Sequence, residues 1–230
     1  MDIKAILRNF PSYVVTNVSV AFLWIFFHVL NRTTVRGREY VGEDPNTLLL
    51  SNHQSMIDSF PVGMAAYYPK SWLKPHLIPW NPAAAENFFR NPVMAWFARQ
   101  YRCIPIKQGR RDLRALHRMV QVLPTGVMTF FPEGGRSRTG EVLPGRSGAG
   151  LVILRTRPKV IPVAIDGMQR VLPIGSAIPR IFKRIWISYG PPLDYSEFLE
   201  RPRTRETAQE VVDKAMGEIR RLLAEIRAKP

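Results

Sequence analysis

The sequence predicts an α/β fold in which a mixed, largely parallel sheet is covered by helices. Three observations lead there. Short apolar runs alternate with longer stretches of helical period, the pattern of strands joined by covering helices. The 230 residues fit one such domain with some length left for an appendage. The stretch between Arg8 and Arg32 carries no Asp, Glu, Lys or Arg and stands apart from everything after it. The domain therefore runs over residues 33–230, and residues 1–32 form a separate helical segment.

Within that segment, Phe10 to Leu30 as a helix reaches roughly 30 Å, enough to cross a hydrocarbon core. Its halves differ. Ser12, Thr16, Asn17 and Ser19 interrupt the first, while Val20 through Phe27 is apolar on every side. Pro11 favours a helix start over an interior position. Charged residues follow the apolar run where a signal peptide would have a small-residue cleavage site. We read a membrane-associating helix; it can span the membrane or lie in the interface, and Trp24 and the polar half, which suit a boundary, favour the latter.

From Thr33 onward the strands are read at Thr47–Leu50, His76–Ile78, Cys103–Ile106, Val127–Phe131, Val160–Ile165 and Ile185–Tyr189. Helices are read at Met56–Tyr68, Ala83–Gln100, Asp112–Leu123 and Gly148–Arg155. In the last helix Thr207 and Glu210 have capping-box spacing, and Val211, Ala215, Ile219, Leu222 and Ile226 make one apolar stripe. That stripe assigns the helix a packing role. There are no repeats or low-complexity tracts.

The balance of 33 Lys+Arg against 18 Asp+Glu, net +15, implies an anionic partner. Arg99, Arg102, Lys107, Arg110, Arg111, Arg114 and Arg118 crowd one region, and Arg136, Arg138, Arg146, Arg155, Arg157 and Lys159 another. The apolar N-terminus and the lack of any nucleic-acid motif argue against a nucleic-acid partner. Cys103 is the only cysteine, so no intrachain disulfide forms; it falls in an apolar run and reads as buried and inert. His28, His53, His76 and His117 are too scattered for a metal site, and no metal is expected.

Chemistry concentrates in two motifs. Asn52-His53-Gln54-Ser55-Met56-Ile57-Asp58 places a histidine before an aspartate. Five residues along a helix turn about 500°, so the pair meets only if His53 sits at or before the helix start. There Asp58 can fix the tautomer and leave the other ring nitrogen as a base. No serine or cysteine stands in a nucleophile pattern. The base therefore activates a substrate hydroxyl directly, and one-step acyl transfer is the simplest scheme. The second motif, Phe131-Pro132-Glu133-Gly134-Gly135-Arg136-Ser137, joins a carboxylate, two glycines and a guanidinium. Gly134 and Gly135 allow close backbone approach to an anion, Arg136 offers forked donors to phosphate, and Glu133 can hold Arg136 or a substrate hydroxyl.

From about Val35 to Pro192 these residues resemble the glycerolipid acyltransferases, particularly the 1-acylglycerol-3-phosphate acyltransferases of phospholipid biosynthesis. The resemblance implies a glycerol-3-phosphate acyltransferase-like fold. It assigns His53 and Asp58, a His-four-residues-Asp motif, as catalytic base and orienter. It assigns Glu133, Gly134, Gly135, Arg136 and Ser137, matching Glu-Gly-Thr-Arg-Ser, to the acceptor phosphate. Ile161 to Gly167 matches a block linked to the acyl donor. Two positions depart from the family. Gly135 stands where threonine is usual, and in Cys103 to Arg110 the usual arginine position is Gln108, so Lys107 or Arg110 must supply that phosphate contact.

The resemblance further implies transfer of an acyl group from acyl-CoA or acyl carrier protein to lysophosphatidic acid, giving phosphatidic acid with no cofactor. The partners would be a membrane phospholipid surface and these substrates, at the cytoplasmic face of the cell membrane. Alternatives are an acyltransferase or transacylase for another lysophospholipid, or a catalytically silent lipid-binding relative. Intact His53 and Asp58 count against the last.

Overall fold

The strand at Thr47–Ser51 is buried at every position because both of its faces are covered. The computed structural model describes residues 3–107 and 112–228. In chain order the elements begin with helix α1 (Ile3–Trp24), continued by a π-helical stretch Ile25–Leu30. Then come β1 (Arg32–Arg36), β2 (Thr47–Ser51), α2 (Ser59–Tyr67), β3 (Asn81–Ala84), α3 (Ala85–Phe88), α4 (Pro92–Gln100) and β4 (Cys103–Ile106). They are followed by α5 (Leu113–Val122), β5 (Val127–Phe130), α6 (Gly148–Thr156), β6 (Lys159–Asp166), α7 (Met168–Val171), β7 (Arg184–Tyr189) and α8 (Arg205–Ala228).

The main sheet has the order β1-β7-β6-β2-β5 and is parallel except where β6 meets β7. It is the mixed, largely parallel sheet expected. A second pair, β3 and β4, is also parallel, and a bridge from Trp80 to Met128 aligns it beside β5. Leu48 and Leu50 enter the core shared with α5, α6 and α8, while Leu49 enters the core shared with α2. Both faces of β2 are thus dry, the usual state of a central parallel strand. The α8 stripe of Val211, Ala215, Ile219, Leu222 and Ile226 is buried. Gly150 sets the closeness of α6 to α8, since a Cβ there would come 1.9 Å from the Ala208 carbonyl oxygen.

Several local expectations are corrected. His76–Ile78 is a tight turn rather than a strand. Pro75 and Pro79 bracket it, and the His76 ring is hydrogen-bonded to the Glu43 carbonyl at 3.0 Å. Its place is taken by β3, whose Asn-Pro-Ala-Ala sequence carries no β-branched signal. The expected helix Ala83–Gln100 is broken. Asn91 caps a new start with its side-chain oxygen accepting from Val93 and Met94, and Pro92 takes the first turn. Pro11 lies inside α1 rather than at its start. At α8 the cap is Thr204, which accepts from the Thr207 amide; Glu210 instead pairs with Arg201 at 2.7 Å. β1 was not anticipated, because its Arg-Thr-Thr-Val-Arg sequence is that of an edge strand with one wet face.

The N-terminal helix is inverted relative to a soluble one. Ser12, Thr16 and Asn17 face inward: Ser12 and Thr16 donate to the Gln100 carbonyl, and Asn17 accepts from Ser71. Phe10, Val14, Val18, Phe22, Ile25 and Val29 form an exposed stripe at helical spacing. Phe10–Leu30 is long and apolar enough to cross a membrane, and within it only Ser12, Thr16, Asn17 and Phe27 are buried.

Candidate active site

His53, Glu133 and Lys107 each follow the C-terminal end of a parallel strand, β2, β5 and β4 respectively. In open α/β sheets this is the edge where ligands bind. Asn52 anchors the turn after β2. Its side-chain oxygen accepts from the Ile165 amide at 2.8 Å and its amide donates to the Ile165 carbonyl at 2.9 Å, replacing backbone pairing where β2 leaves β6.

His53 therefore precedes α2, and Asp58 stands at the helix start. Asp58 is fully buried and its Oδ2 lies 3.0 Å from His53 Nδ1. The same oxygen accepts from the Gln54 amide at 2.6 Å and the Ser55 amide at 2.8 Å. Three donors on one carboxylate oxygen hold it fixed. Asp58 Oδ1 is buried without a partner. The His53 ring stacks on Phe131, with centroids 4.3 Å apart, and its side chain stays 19% exposed. Nδ1 faces Asp58, so Nε2 is the nitrogen left for a substrate. Ser55 is committed elsewhere, donating to the Leu172 carbonyl at 3.1 Å.

The glycine loop closes over this turn. Glu133 does not hold Arg136. Its Oε1 accepts from the His53 backbone amide at 3.3 Å, and its Oε2 is buried without a partner. Burial, with a smaller push from the Asp58 charge, raises the Glu133 pKa to about 8. Ser137 is buried too, and its amide donates to the His53 carbonyl at 2.7 Å. Both amide and carbonyl of His53 are thus tied to one loop. Gly134 has φ +66, the left-handed region glycine favours, and a Cβ there would meet Arg146 Nε at 3.1 Å. Gly135 faces open space, with nothing within 4 Å of a Cβ built on it.

Arg136 is half-buried, and among the described residues nothing pairs with its guanidinium. Lys107 is exposed, with its backbone amide bonded to Asp112 at 3.1 Å. Arg110, together with Gln108, Gly109 and Arg111, lies outside the described residues. Arg102 leaves the surface cluster: its guanidinium donates to the Ile78 carbonyl and lies 5.6 Å from the Trp80 ring centre, and burial lowers its pKa to about 10. Cys103 is half-buried, its thiol pushed up to about 12 by burial.

The sequence reading missed Gln54. Its side chain donates to Asp166 at 3.0 Å and to the Gly140 carbonyl at 3.2 Å, and accepts from the Met168 amide, so it joins the His53 turn to the end of β6. A glutamine beside His53 gives no periodic signal, and Asp166 is remote from it in sequence. Among the described residues no group of three or more His, Cys, Asp or Glu is placed to hold a metal.

The His–Asp pair and the glycine loop thus stand on neighbouring parallel strands, β2 and β5. A family model described as Acyltransferase matches residues 32–166, and the chain belongs to that family. It is 27% identical over 163 residues to the chloroplastic 1-acyl-sn-glycerol-3-phosphate acyltransferase of Brassica napus, covering 68% of this chain and 44% of that protein. It is 28% identical over 161 residues to the N-acylphosphatidylethanolamine synthase of Arabidopsis thaliana, covering 64% of this chain and 56% of that one. The chain spans less than two thirds of the length of these relatives. In fold it is similar to the crystal structure of the 1-acyl-sn-glycerophosphate acyltransferase PlsC from Thermotoga maritima. The TM-score is 0.69 at 23% identity, covering 100% of this chain and 85% of that one.

Proposed function

We propose that this acyltransferase moves a fatty acyl group from a phosphopantetheine thioester, acyl-CoA or acyl carrier protein, to the free hydroxyl of lysophosphatidic acid. The product is phosphatidic acid. The observation that carries the reading is the His53–Asp58 pair, with His53 Nε2 left unoccupied and Ser55 turned away to Leu172.

His53 Nε2 takes the proton of the acceptor hydroxyl as its oxygen attacks the thioester carbonyl. The tetrahedral adduct collapses by breaking the C–S bond, and the imidazolium returns the proton to the departing thiolate. Asp58 holds the ring and stabilises its charged form. Glu133 and Ser137 fix the His53 backbone. Arg136, unpaired and one residue beyond the open face at Gly135, is assigned to the acceptor phosphate, with Lys107 and Arg110 as further cations on that side. The strand Ile161–Asp166, beside β2, is assigned to the donor side.

The exposed apolar stripe of α1 supports a protein seated on a membrane, and the contacts of Ser12, Thr16 and Asn17 support a helix lying along the surface. An enzyme so placed meets a lysolipid whose chain remains in the bilayer, at the cytoplasmic face where acyl thioesters are found. The open space at Gly135 favours a second reading, a lysophospholipid with a larger headgroup.

The test is product analysis with purified protein, a panel of lysolipids and both donors. Phosphatidic acid as main product supports the first reading, and another diacyl lipid the second. No acyl transfer to any acceptor rejects both.

A further inference from the structure

Between α7 and the first residue of β7 the chain carries Ile178, Ile181 and Phe182 interleaved with Arg180, Lys183 and, opening β7, Arg184. Ile178 is 78% exposed and Phe182 79%, so these large side chains do nothing for the core. Phe182 also has φ +61, a left-handed conformation disfavoured for a bulky residue. A strained backbone that points an aromatic ring into water is unfavourable twice in an isolated soluble protein. Such a site calls for a function.

The strain is held in place by the end of the N-terminal helix. The Phe182 amide donates to the Leu30 carbonyl at 2.8 Å, the Arg32 amide to the Lys183 carbonyl at 2.8 Å, and the Lys183 amide to Asn31 Oδ1 at 2.9 Å. Phe182 is thereby clipped directly beyond the exposed stripe that runs along α1 and ends at Ile25 and Val29 of the π-helical stretch. Behind it lies a cleft of about 420 Å³ whose charged lining is Arg170, Lys183, Arg184 and Arg227 against the single carboxylate of Asp166. Arg227 is engaged by Glu141 and Asp166, whereas among the described residues no carboxylate pairs with Lys183 or Arg184. β7 starts beside the end of β6, so the cleft opens at the same sheet edge as His53, two strands away.

We propose that residues 178–184 form a second membrane-contacting element. Ile178, Ile181 and Phe182 enter the acyl region of an anionic bilayer, and Lys183 and Arg184, with Arg170 in the cleft, receive a lipid phosphate. The proposal rests on the reading of α1 as a membrane-seated helix. Charge complementarity and continuity with the α1 stripe favour a bilayer over an acidic protein, because cations alone would serve a protein and leave the exposed apolar side chains without a partner.

The test uses the full chain and vesicles of phosphatidylcholine with or without phosphatidylglycerol. Phe182→Asn suits a left-handed backbone and should leave the thermal midpoint unchanged or raised. The same variant should weaken partition to the mixed vesicles by about tenfold or more, the scale set by withdrawing one aromatic side chain from an apolar phase. Lys183→Glu with Arg184→Glu should abolish the preference for phosphatidylglycerol. Phe182→Cys carrying an environment-sensitive dye should shift to the blue on vesicles, with the unmodified chain as labelling control because Cys103 is a suppressed thiol. Unchanged partition of Phe182→Asn, or a dye that stays in water, overturns the proposal while leaving the α1 reading intact. Absence of any vesicle binding by the full chain removes both. Loss of carrier-protein binding without loss of vesicle binding in the charge-reversed variant would assign the cleft to an acidic protein instead.

Discussion

Asp58 Oδ2 lies 3.0 Å from His53 Nδ1 while accepting the amides of Gln54 and Ser55, so one oxygen fixes the histidine and the turn that carries it. An asparagine can keep its oxygen in that position but loses the charge that stabilises an imidazolium. Asp58→Asn should therefore lower kcat by about 10²-fold or more with little loss of fold. Asp58→Ala also strands two buried amides and should lower stability by about 2 kcal/mol or more. Urea unfolding beside steady-state kinetics separates the two effects. Equal stability of both variants would show that the amides do not depend on Asp58.

Glu133 should leave a signature in stability against pH. Its pKa stands at about 8 against an ordinary 4.5, so the folded chain holds a proton that the unfolded chain has released across that window. Its contribution is fully present below 4.5 and is lost as pH rises toward 8. Glu133→Gln should flatten this decline and be at least as stable as the parent at the upper end, while turnover falls because the loop no longer positions His53 as before. Parallel stability curves for the two proteins would contradict the assignment.

The two glycines should behave differently. Gly134→Ala meets both a positive φ and Arg146, and should cost about 1 kcal/mol or more. Gly135→Ala points into open space from a backbone any residue can adopt, and should be neutral or stabilising by about 0.4–1 kcal/mol. Thermal melts of the pair decide this, and a reversed order would mean that the loop is built differently.

Arg136→Ala should raise the acceptor KM by about tenfold or more and leave the donor KM nearly unchanged, since a charge-assisted contact to phosphate is lost. Charge reversal to Glu should be worse. A rise in the donor KM instead would place this loop on the thioester side. Comparing Lys107→Ala with Arg110→Ala identifies which cation serves where the family has arginine and this chain has Gln108.

The sequence showed most clearly what periodicity and position dictate. β2 and β6 were legible as apolar runs because both faces are covered, and α8 because only one is. His53 had to precede a helix to meet Asp58, and it does. β3 was hidden by two features, an Asn-Pro start and alanines, while Pro75 and Pro79 made a turn where apolar residues mimicked a strand. From the sequence, Glu133 is offered either Arg136 or a substrate hydroxyl as a partner, and not the His53 backbone. Its contact with the His53 amide crosses 80 residues and depends on β5 lying beside β2. The Gln54–Asp166 link was invisible for the same reason.

The central claim is that His53 is the base that deprotonates the acceptor. Its most direct test is the turnover of His53→Ala with lysophosphatidic acid and an acyl thioester, measured on protein shown to be folded. General-base assistance of the usual size predicts a loss of about 10²–10⁴-fold. A loss smaller than about tenfold would contradict the account and remove His53 from the chemistry.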